Sequence, residues 1–308
     1  MLPFDIPPGL AGQVRLGEPW VSWLDRLPAV TGGVLEEWEL EVDGAPMNGF
    51  CSLVVPVRTS AGRPAVLKVA LPDEESDHEH LALQRWQGDG AVLLLRADPH
   101  RRALLLERLH PEDLTDLWDL EACEIVAGLY RRLHVPALPQ LRTMTSYVER
   151  RNTGLAAMAK DAPMPRRLVE QALSLAAGLL SDAASTGRMI HGDLHYENVL
   201  AADREPWLVI DPKPMSGDPH YEVAPLLWNR WDEVVESGAV RDAVRRRFHT
   251  VVDTAELDED RARDWVVVRA LQDASWAVDD ARRLGRELTR RERAWITTMV
   301  TVAKAVQG

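Results

Sequence analysis

The chain carries neither of the familiar glycine fingerprints of phosphate binding: no G-x-G-x-x-G and no Walker A stretch occurs in its 308 residues. A dinucleotide-binding βαβ unit and a P-loop are therefore not signalled. Cysteine is scarce. Cys51 and Cys123 are the two present, too far apart in sequence to form a disulfide framework, which points to a reducing, cytoplasmic compartment. No apolar run is long enough to span a bilayer. Residues 1–20 contain Asp5 and Pro3, Pro7 and Pro8 in place of a basic segment followed by an apolar core, so no secretory signal is expected. Basic charge is also short: 36 Lys and Arg against 48 Asp and Glu leave a net charge of −12. Nucleic-acid binding relies on a basic surface and is not expected. An acidic chain is a better host for a cationic small molecule, although acidity alone usually signifies only solubility. Repeats and low-complexity tracts are absent. Nothing in the pattern calls for a large assembly, and a monomer or weak dimer is expected.

What is present centres on one octet, His191-Gly-Asp-Leu-His-Tyr-Glu-Asn198, followed one strand later by Val209-Ile-Asp211. A carboxylate, an amide five residues on and a second carboxylate ending an apolar run are what phosphoryl transfer from Mg·ATP requires. Asp193 suits the base that takes the proton of an attacking hydroxyl. Asn198 and Asp211 suit the Mg²⁺ ligands, since this hard ion takes oxygen donors and keeps several waters. His191 more plausibly braces the loop. Singly, these residues have plainer readings: Asp193 as a turn residue after Gly192, Asn198 as a cap, or His191, Asp193 and His195 as a transition-metal set. The octet and the Val-Ile-Asp together favour phosphoryl transfer.

The N-terminal half supplies the expected companions. The chain has four lysines against 32 arginines, so Lys68 inside the apolar strand Ala65-Val-Leu-Lys-Val-Ala70 is conspicuous. A strand Lys that pairs ATP phosphates and is itself held by a helix Glu is the expected arrangement. Helical spacing of Leu81, Ala82 and Trp86 makes Glu79 its partner, with Glu75 the alternative; the other acids of that stretch are accounted for by the helix dipole. Two strand-like runs, Ala91–Arg96 and Arg102–Glu107, precede a junction where Glu107 and Leu109 would present backbone groups to adenine. The segment Asp43 to Ser52, with Gly49 and Ser52, is the candidate phosphate-covering loop, although Asp43-Gly44 reads equally well as a hairpin turn.

The layout is α+β: a small antiparallel sheet with one helix over residues 1–109, a nucleotide-binding lobe, then a mainly helical lobe over 110–308 carrying the catalytic loop and acceptor site. Long helices are expected over Leu114–Leu133, Arg167–Ser185, Glu222–Glu236, Arg241–Val252, Asp258–Arg286 and Thr289–Val306. This is the bilobal protein-kinase-like arrangement.

His191-Gly-Asp-Leu-His-Tyr-Glu-Asn-Val-Leu200 with Ile210-Asp-Pro212 resembles the aminoglycoside phosphotransferase family, which has His-Gly-Asp where protein kinases have His-Arg-Asp. The string from Asp211 to Pro225, Asp-Pro-Lys-Pro-Met-Ser-Gly-Asp-Pro-His-Tyr-Glu-Val-Ala-Pro, is most similar to the streptomycin 6-kinase and hydroxyurea phosphotransferase branch, as is Met47-Asn-Gly-Phe-Cys-Ser-Leu-Val-Val55. The resemblance covers residues 20 to 300 and leaves Trp20, Trp23 and Trp38 unassigned. It implies an ATP- and Mg²⁺-dependent kinase acting on a hydroxyl-rich or cationic small molecule, with an aminoglycoside of the streptomycin type as the leading acceptor, and conferring antibiotic resistance. Lys68, Glu79, Asp193, Asn198 and Asp211 match the family's functional positions. The alternatives are a kinase of the same fold for hydroxyurea, a sugar or another metabolite, and a non-catalytic nucleotide-binding protein. A polycationic acceptor calls for carboxylates and flat aromatic faces. Asp232 and Glu233, and Trp276 and Asp279 on a helix face shared with Trp265 and Gln272, are the candidates. Packing against a neighbouring helix, or a solvated face, is the plainer reading of each.

Overall fold

The computed structural model describes residues 2–158 and 162–308. The chain divides into two compact units, Met1–Pro111 with Ala201–Ile210, and Glu112–Leu200 with Asp211–Gly308.

The first unit is built on a six-stranded antiparallel sheet. Its strands are β1 (Glu41–Val42), β2 (Met47–Asn48), β3 (Ser52–Arg58), β4 (Pro64–Ala70), β5 (Leu94–Asp98) and β6 (Ala103–Glu107), ordered β1-β3-β4-β6-β5 with β2 also on β3. Side chains alternate between faces along a strand. Leu53, Val55 and Val57 of β3, Ala65, Leu67 and Val69 of β4, and Ala103 and Leu105 of β6 share one buried face. The helix Trp20–Glu37 covers that face with Trp20, Trp23, Leu27 and Val34, spaced three to seven residues apart along one helical side. The tryptophans that the sequence leaves unassigned are thus the lid of this core. Lys68 falls on the opposite face, between Val54 and Leu104 in register.

Asp43-Gly44 is not a hairpin turn. Both β1 and β2 pair with β3, so the Asp43 segment interrupts one edge strand. The reversal lies at Gly49–Ser52, closed by the Gly49 N–H on the Ser52 carbonyl at 3.0 Å. Residues 201–210 join this unit through the parallel bridge Ala91–Val209 and the His110 N–H on the Ala201 carbonyl.

The second unit is helical, with its longest helix, Glu259–Arg283, at the centre. Asp258 caps it by accepting from the Arg261 N–H at 2.8 Å, and it packs on the helices Met144–Ala156, Arg166–Leu180 and Arg290–Ala305. On the face shared by Trp265, Gln272, Trp276 and Asp279, Trp265 and Gln272 are fully buried, as the packing reading expects, while Trp276 is exposed. The Trp265 indole N–H donates to Asp218 at 2.7 Å and the Gln272 amide to Asn152 at 2.8 Å. Polar side chains with such partners belong in a core, which a hydropathy pattern cannot see. The expected helix over Glu222–Glu236 is two helices, Val223–Trp228 and Trp231–Glu236, broken where Arg230 takes φ 45°. The helix expected from Leu114 starts at Asp119, and the one expected to reach Ser185 stops at Leu180. No helix among the described residues is long and apolar enough to cross a membrane.

Candidate active site

Each unit carries one set of candidate residues. In the first, the Lys68 ammonium lies 2.6 and 2.7 Å from the two oxygens of Glu79, with both side chains buried. Glu79 opens the helix Glu79–Trp86. Glu75 lies instead in the preceding turn, where its N–H donates to Asp73 at 2.6 Å. A buried pair of this kind is costly to break from one side, about 3–5 kcal/mol, because the remaining charge is left desolvated. Ser52 is buried at the start of β3, and a Cβ at Gly49 would meet its hydroxyl at 2.9 Å. That glycine allows the turn to close tightly over Ser52.

The strand end at Glu107 is held by its side chain. Its carboxylate accepts from the Leu93 N–H at 2.7 Å and from the Arg204 guanidinium at 2.7 and 3.0 Å. Arg204 also donates to the Gly88 and Ala91 carbonyls, at 2.6 Å each. The next residue, Arg108, donates to the Ala65 and Val57 carbonyls and to Asp43. Glu107 and the half-buried Leu109 therefore belong to a backbone segment fastened on both sides.

In the second unit, strand pairing draws the two halves of the loop motif together. Arg188–Ile190 pairs antiparallel with Met215–Gly217, and the Lys213 N–H donates to the His191 carbonyl at 2.7 Å. Gly192 sits at φ 84°, and a Cβ there would collide with the Lys213 carbonyl oxygen. Glycine is thus required for two reasons at once, a left-handed backbone and a backbone neighbour. Asp193 follows directly. The His191 ring is fully buried and accepts the Asp193 N–H on Nδ1 at 3.3 Å, so it braces the turn from inside. The Asn198 amide nitrogen donates to the Asp193 carbonyl at 2.8 Å and contacts His195 Nε2 at 3.1 Å. Its carbonyl oxygen is the end left to accept. Asp211 takes φ 56°, a conformation Asp tolerates better than most residues, and its carboxylate meets the Lys213 ammonium at 3.1 Å. The ring contacts of His191 and His195 tie them to the loop backbone and to Asn198. Among the described residues no three His, Cys, Asp or Glu side chains form a metal-holding group.

Sequence reasoning missed the supports beneath this loop. Glu222, fully buried, accepts the His191 N–H at 3.1 Å, the Gly192 N–H at 2.7 Å and His134 Nε2 at 2.8 Å. Burial alone would push its carboxyl upward. The bonds from His134 and the Gly192 N–H outweigh that and hold it below the usual carboxylate range. Tyr130 stacks on His134 at 4.8 Å and donates to the Glu222 carbonyl at 3.0 Å. On the other side, Asn229 accepts the Tyr196 N–H at 3.2 Å, a role that explains the helix break at Asn229–Arg230. The Tyr196 hydroxyl reaches Asp119 and Cys123 at 3.1 Å each. Burial drives that phenol far above its ordinary range and the Cys123 thiol to about 11. Asp119 in turn binds the buried Arg247 at 2.6 Å. The one available signal was the string Asp218-Pro-His-Tyr-Glu222, which resembles the branch but does not announce a carboxylate aimed at backbone N–H groups.

The acceptor candidates are scattered within the same unit. Trp276 is 64% exposed, and Asp279 lies against Gly154 of the helix Met144–Ala156 and 3.6 Å from Arg282. Asp232 is exposed on the helix Trp231–Glu236. Glu233 is clamped by the Arg230 guanidinium, whose hydrogen bond lowers its carboxyl pKa. Asn229, close by in sequence, supports the loop.

A small antiparallel sheet bearing a buried lysine–glutamate pair, with a helical unit in which the His-Gly-Asp loop and the Asp211 segment adjoin two paired strands, is the architecture of the protein-kinase-like phosphotransferases. The chain belongs to the aminoglycoside/hydroxyurea antibiotic resistance kinase family, whose model matches residues 37–281. It is 39% identical to a streptomycin 6-kinase of Streptomyces glaucescens, covering 99% of this chain and 97% of that one. It is also 39% identical to a hydroxyurea phosphotransferase of Kitasatospora aureofaciens, covering 84% of this chain and 75% of that one. Among solved structures it resembles a thermostable mutant of aminoglycoside phosphotransferase APH(4)-Ia in ternary complex with ADP and hygromycin B, at TM-score 0.59 over 90% of this chain and 97% of that one. At 18% identity that likeness is one of fold.

Proposed function

We propose that this chain transfers the γ-phosphoryl group of ATP to a hydroxyl of a streptomycin-type aminoglycoside, and so acts as an antibiotic-resistance kinase. The observation that carries the reading is the backbone junction, Lys213 N–H on the His191 carbonyl, that joins the loop bearing Asp193 and Asn198 to the segment bearing Asp211 at one end of two paired strands. In this reading Asp193 accepts the proton of the attacking hydroxyl. Lys68, held straight by Glu79, pairs with the ATP phosphates. The backbone of Glu107 and Leu109 meets adenine, and the Gly49–Ser52 turn covers the phosphates. Asn198 and Asp211 offer an amide oxygen and a carboxylate, donors that fit Mg²⁺. Mg²⁺, when bound, neutralises charge on the phosphate oxygens. Chemistry of this kind is mostly positioning, which accounts for the number of contacts spent on the loop backbone.

The streptomycin reading is favoured over hydroxyurea by extent: the match spans 97% of the streptomycin 6-kinase but 75% of the hydroxyurea phosphotransferase. For a guanidinium-bearing acceptor, the exposed Trp276 offers a stacking face and Asp279 and Asp232 offer charge; Glu233, occupied by Arg230, is the weakest of the four candidates. A coupled ADP-release assay with streptomycin, other aminoglycosides, hydroxyurea and simple sugars tests the assignment. Streptomycin is expected to give the highest kcat/KM, and Asp193→Asn to lower kcat about 10²–10⁴-fold while nucleotide binding persists. A sugar or hydroxyurea turned over faster than streptomycin would overturn the acceptor, and an unaffected Asp193→Asn enzyme would overturn the base.

A further inference from the structure

Arg269 lies in the middle of the central helix and is buried. One of its terminal nitrogens donates to the Gly192 carbonyl at 2.8 Å and the other to the Tyr221 carbonyl at 3.1 Å. Its guanidinium carbon sits 4.4 Å from the centre of the Tyr221 ring. No carboxylate among the described residues pairs with it directly. Burial works against its charge, and Tyr221 with the carboxylates of Asp273 and Asp193 works for it. A desolvated cation held by two neutral carbonyls is costly. Its bond to the Tyr221 carbonyl serves the fold, since Pro225 four residues on has no N–H to offer; its bond to the Gly192 carbonyl reaches the loop itself. The Gly192 carbonyl belongs to the peptide whose nitrogen is that of Asp193. The preceding peptide, His191–Gly192, is held by its Gly192 N–H on Glu222 at 2.7 Å. The peptides flanking Gly192 are thus gripped at both ends, by an anion on the N–H side and a cation on the carbonyl side, in the left-handed conformation glycine alone adopts freely.

We propose that Arg269 is a positioning residue for phosphoryl transfer, orienting Asp193 through the Gly192 carbonyl. This rests on the reading of Asp193 as the base. Tyr221 serves as the platform that keeps the guanidinium flat, so that its planar fork spans two carbonyls. A lysine ammonium lacks that fork and can reach one of them.

The test is steady-state kinetics of Arg269→Met and Arg269→Lys beside wild type and Asp193→Asn, with thermal unfolding and the stoichiometry of a non-hydrolysable ATP analogue measured on each. Arg269→Met is expected to melt a few degrees below wild type, since two carbonyls lose their donor, to stay folded at the assay temperature, and to bind one analogue per chain with unchanged affinity. Both KM values should stay within about two-fold while kcat falls about 10²-fold, the usual effect of a small misplacement of a reacting group. Arg269→Lys should recover part of that kcat. A structural role alone would make kcat follow the fraction of chains that bind the analogue. Arg269→Met with kcat within three-fold of wild type, or a kcat loss matched by lost binding sites, would overturn the proposal. Should Arg269→Met not fold, Arg269→Lys decides the matter: kcat reduced about ten-fold at constant KM supports positioning, and wild-type kcat refutes it. Full turnover by Asp193→Asn would instead overturn the base assignment.

Discussion

Glu222→Gln is the most informative single change beneath the loop. The carboxylate takes three donors: Oε2 accepts the His191 N–H and His134 Nε2, and Oε1 accepts the Gly192 N–H. Glutamine keeps one oxygen and replaces the other with an NH₂ group. If the oxygen serves His191 and His134, the NH₂ faces the Gly192 N–H, donor against donor. The change removes at least one bond to a charged acceptor and weakens two more, a loss of about 2–4 kcal/mol. For a unit of this size each kcal/mol moves Tm by about 2–4 °C, so a fall of roughly 5–15 °C is expected. Glu222 is pulled below the ordinary value of 4.5 by its bonds, so the stability it supplies is complete above that pH. It is lost as pH falls through the lower folded value. Thermal unfolding of both proteins from neutral to acid pH should show the wild-type advantage shrinking below about pH 4.5 as the two curves approach each other. Turnover should fall with the loop geometry, by about 10²-fold. A variant melting within 1 °C of wild type at neutral pH with unchanged kcat would refute the support role.

Two further changes probe the other contacts. Gly192→Ala forces a Cβ into the Lys213 carbonyl at φ 84°; the left-handed backbone alone costs about 1–2 kcal/mol, and the displaced Lys213 should remove most activity, checked by kcat on folded, nucleotide-binding protein. Lys68→Met leaves Glu79 buried without its cation, so a loss of about 3–5 kcal/mol is expected in chemical denaturation, with Lys68→Met/Glu79→Gln recovering part of it. A double variant no more stable than the single would contradict the pairing argument.

The groups proposed to carry the chemistry stand out in the sequence because their signal is local. Asp193 and Asn198 lie five residues apart in one octet, and Lys68 stands out in a strand because lysine is otherwise so rare. The partner choice between Glu79 and Glu75 followed from where helical spacing begins, and the pair forms at 2.6 Å. The supports were not legible. Glu222 meets the loop from 30 residues downstream and Arg269 from 77, and each binds backbone atoms that every residue possesses. The same reason hid Asn229, whose side chain caps Tyr196 while its position reads as exposed helix. Trp265 and Gln272 take the plainer reading of their helix face, packing, and each does so through a buried hydrogen bond that hydropathy does not register. The first forty residues matched no functional motif because their content is packing: Trp20, Trp23, Leu27 and Val34 read as one helical stripe only once the sheet they cover is known.

Phosphoryl transfer to a streptomycin hydroxyl, the proposed activity, is open to observation by ³¹P NMR of the protein incubated with Mg·ATP and streptomycin. A phosphate-monoester resonance on the antibiotic should grow in step with ADP, and none should appear with Asp193→Asn. ADP accompanied only by inorganic phosphate, or no loss of ATP while another hydroxyl compound is phosphorylated, would contradict it.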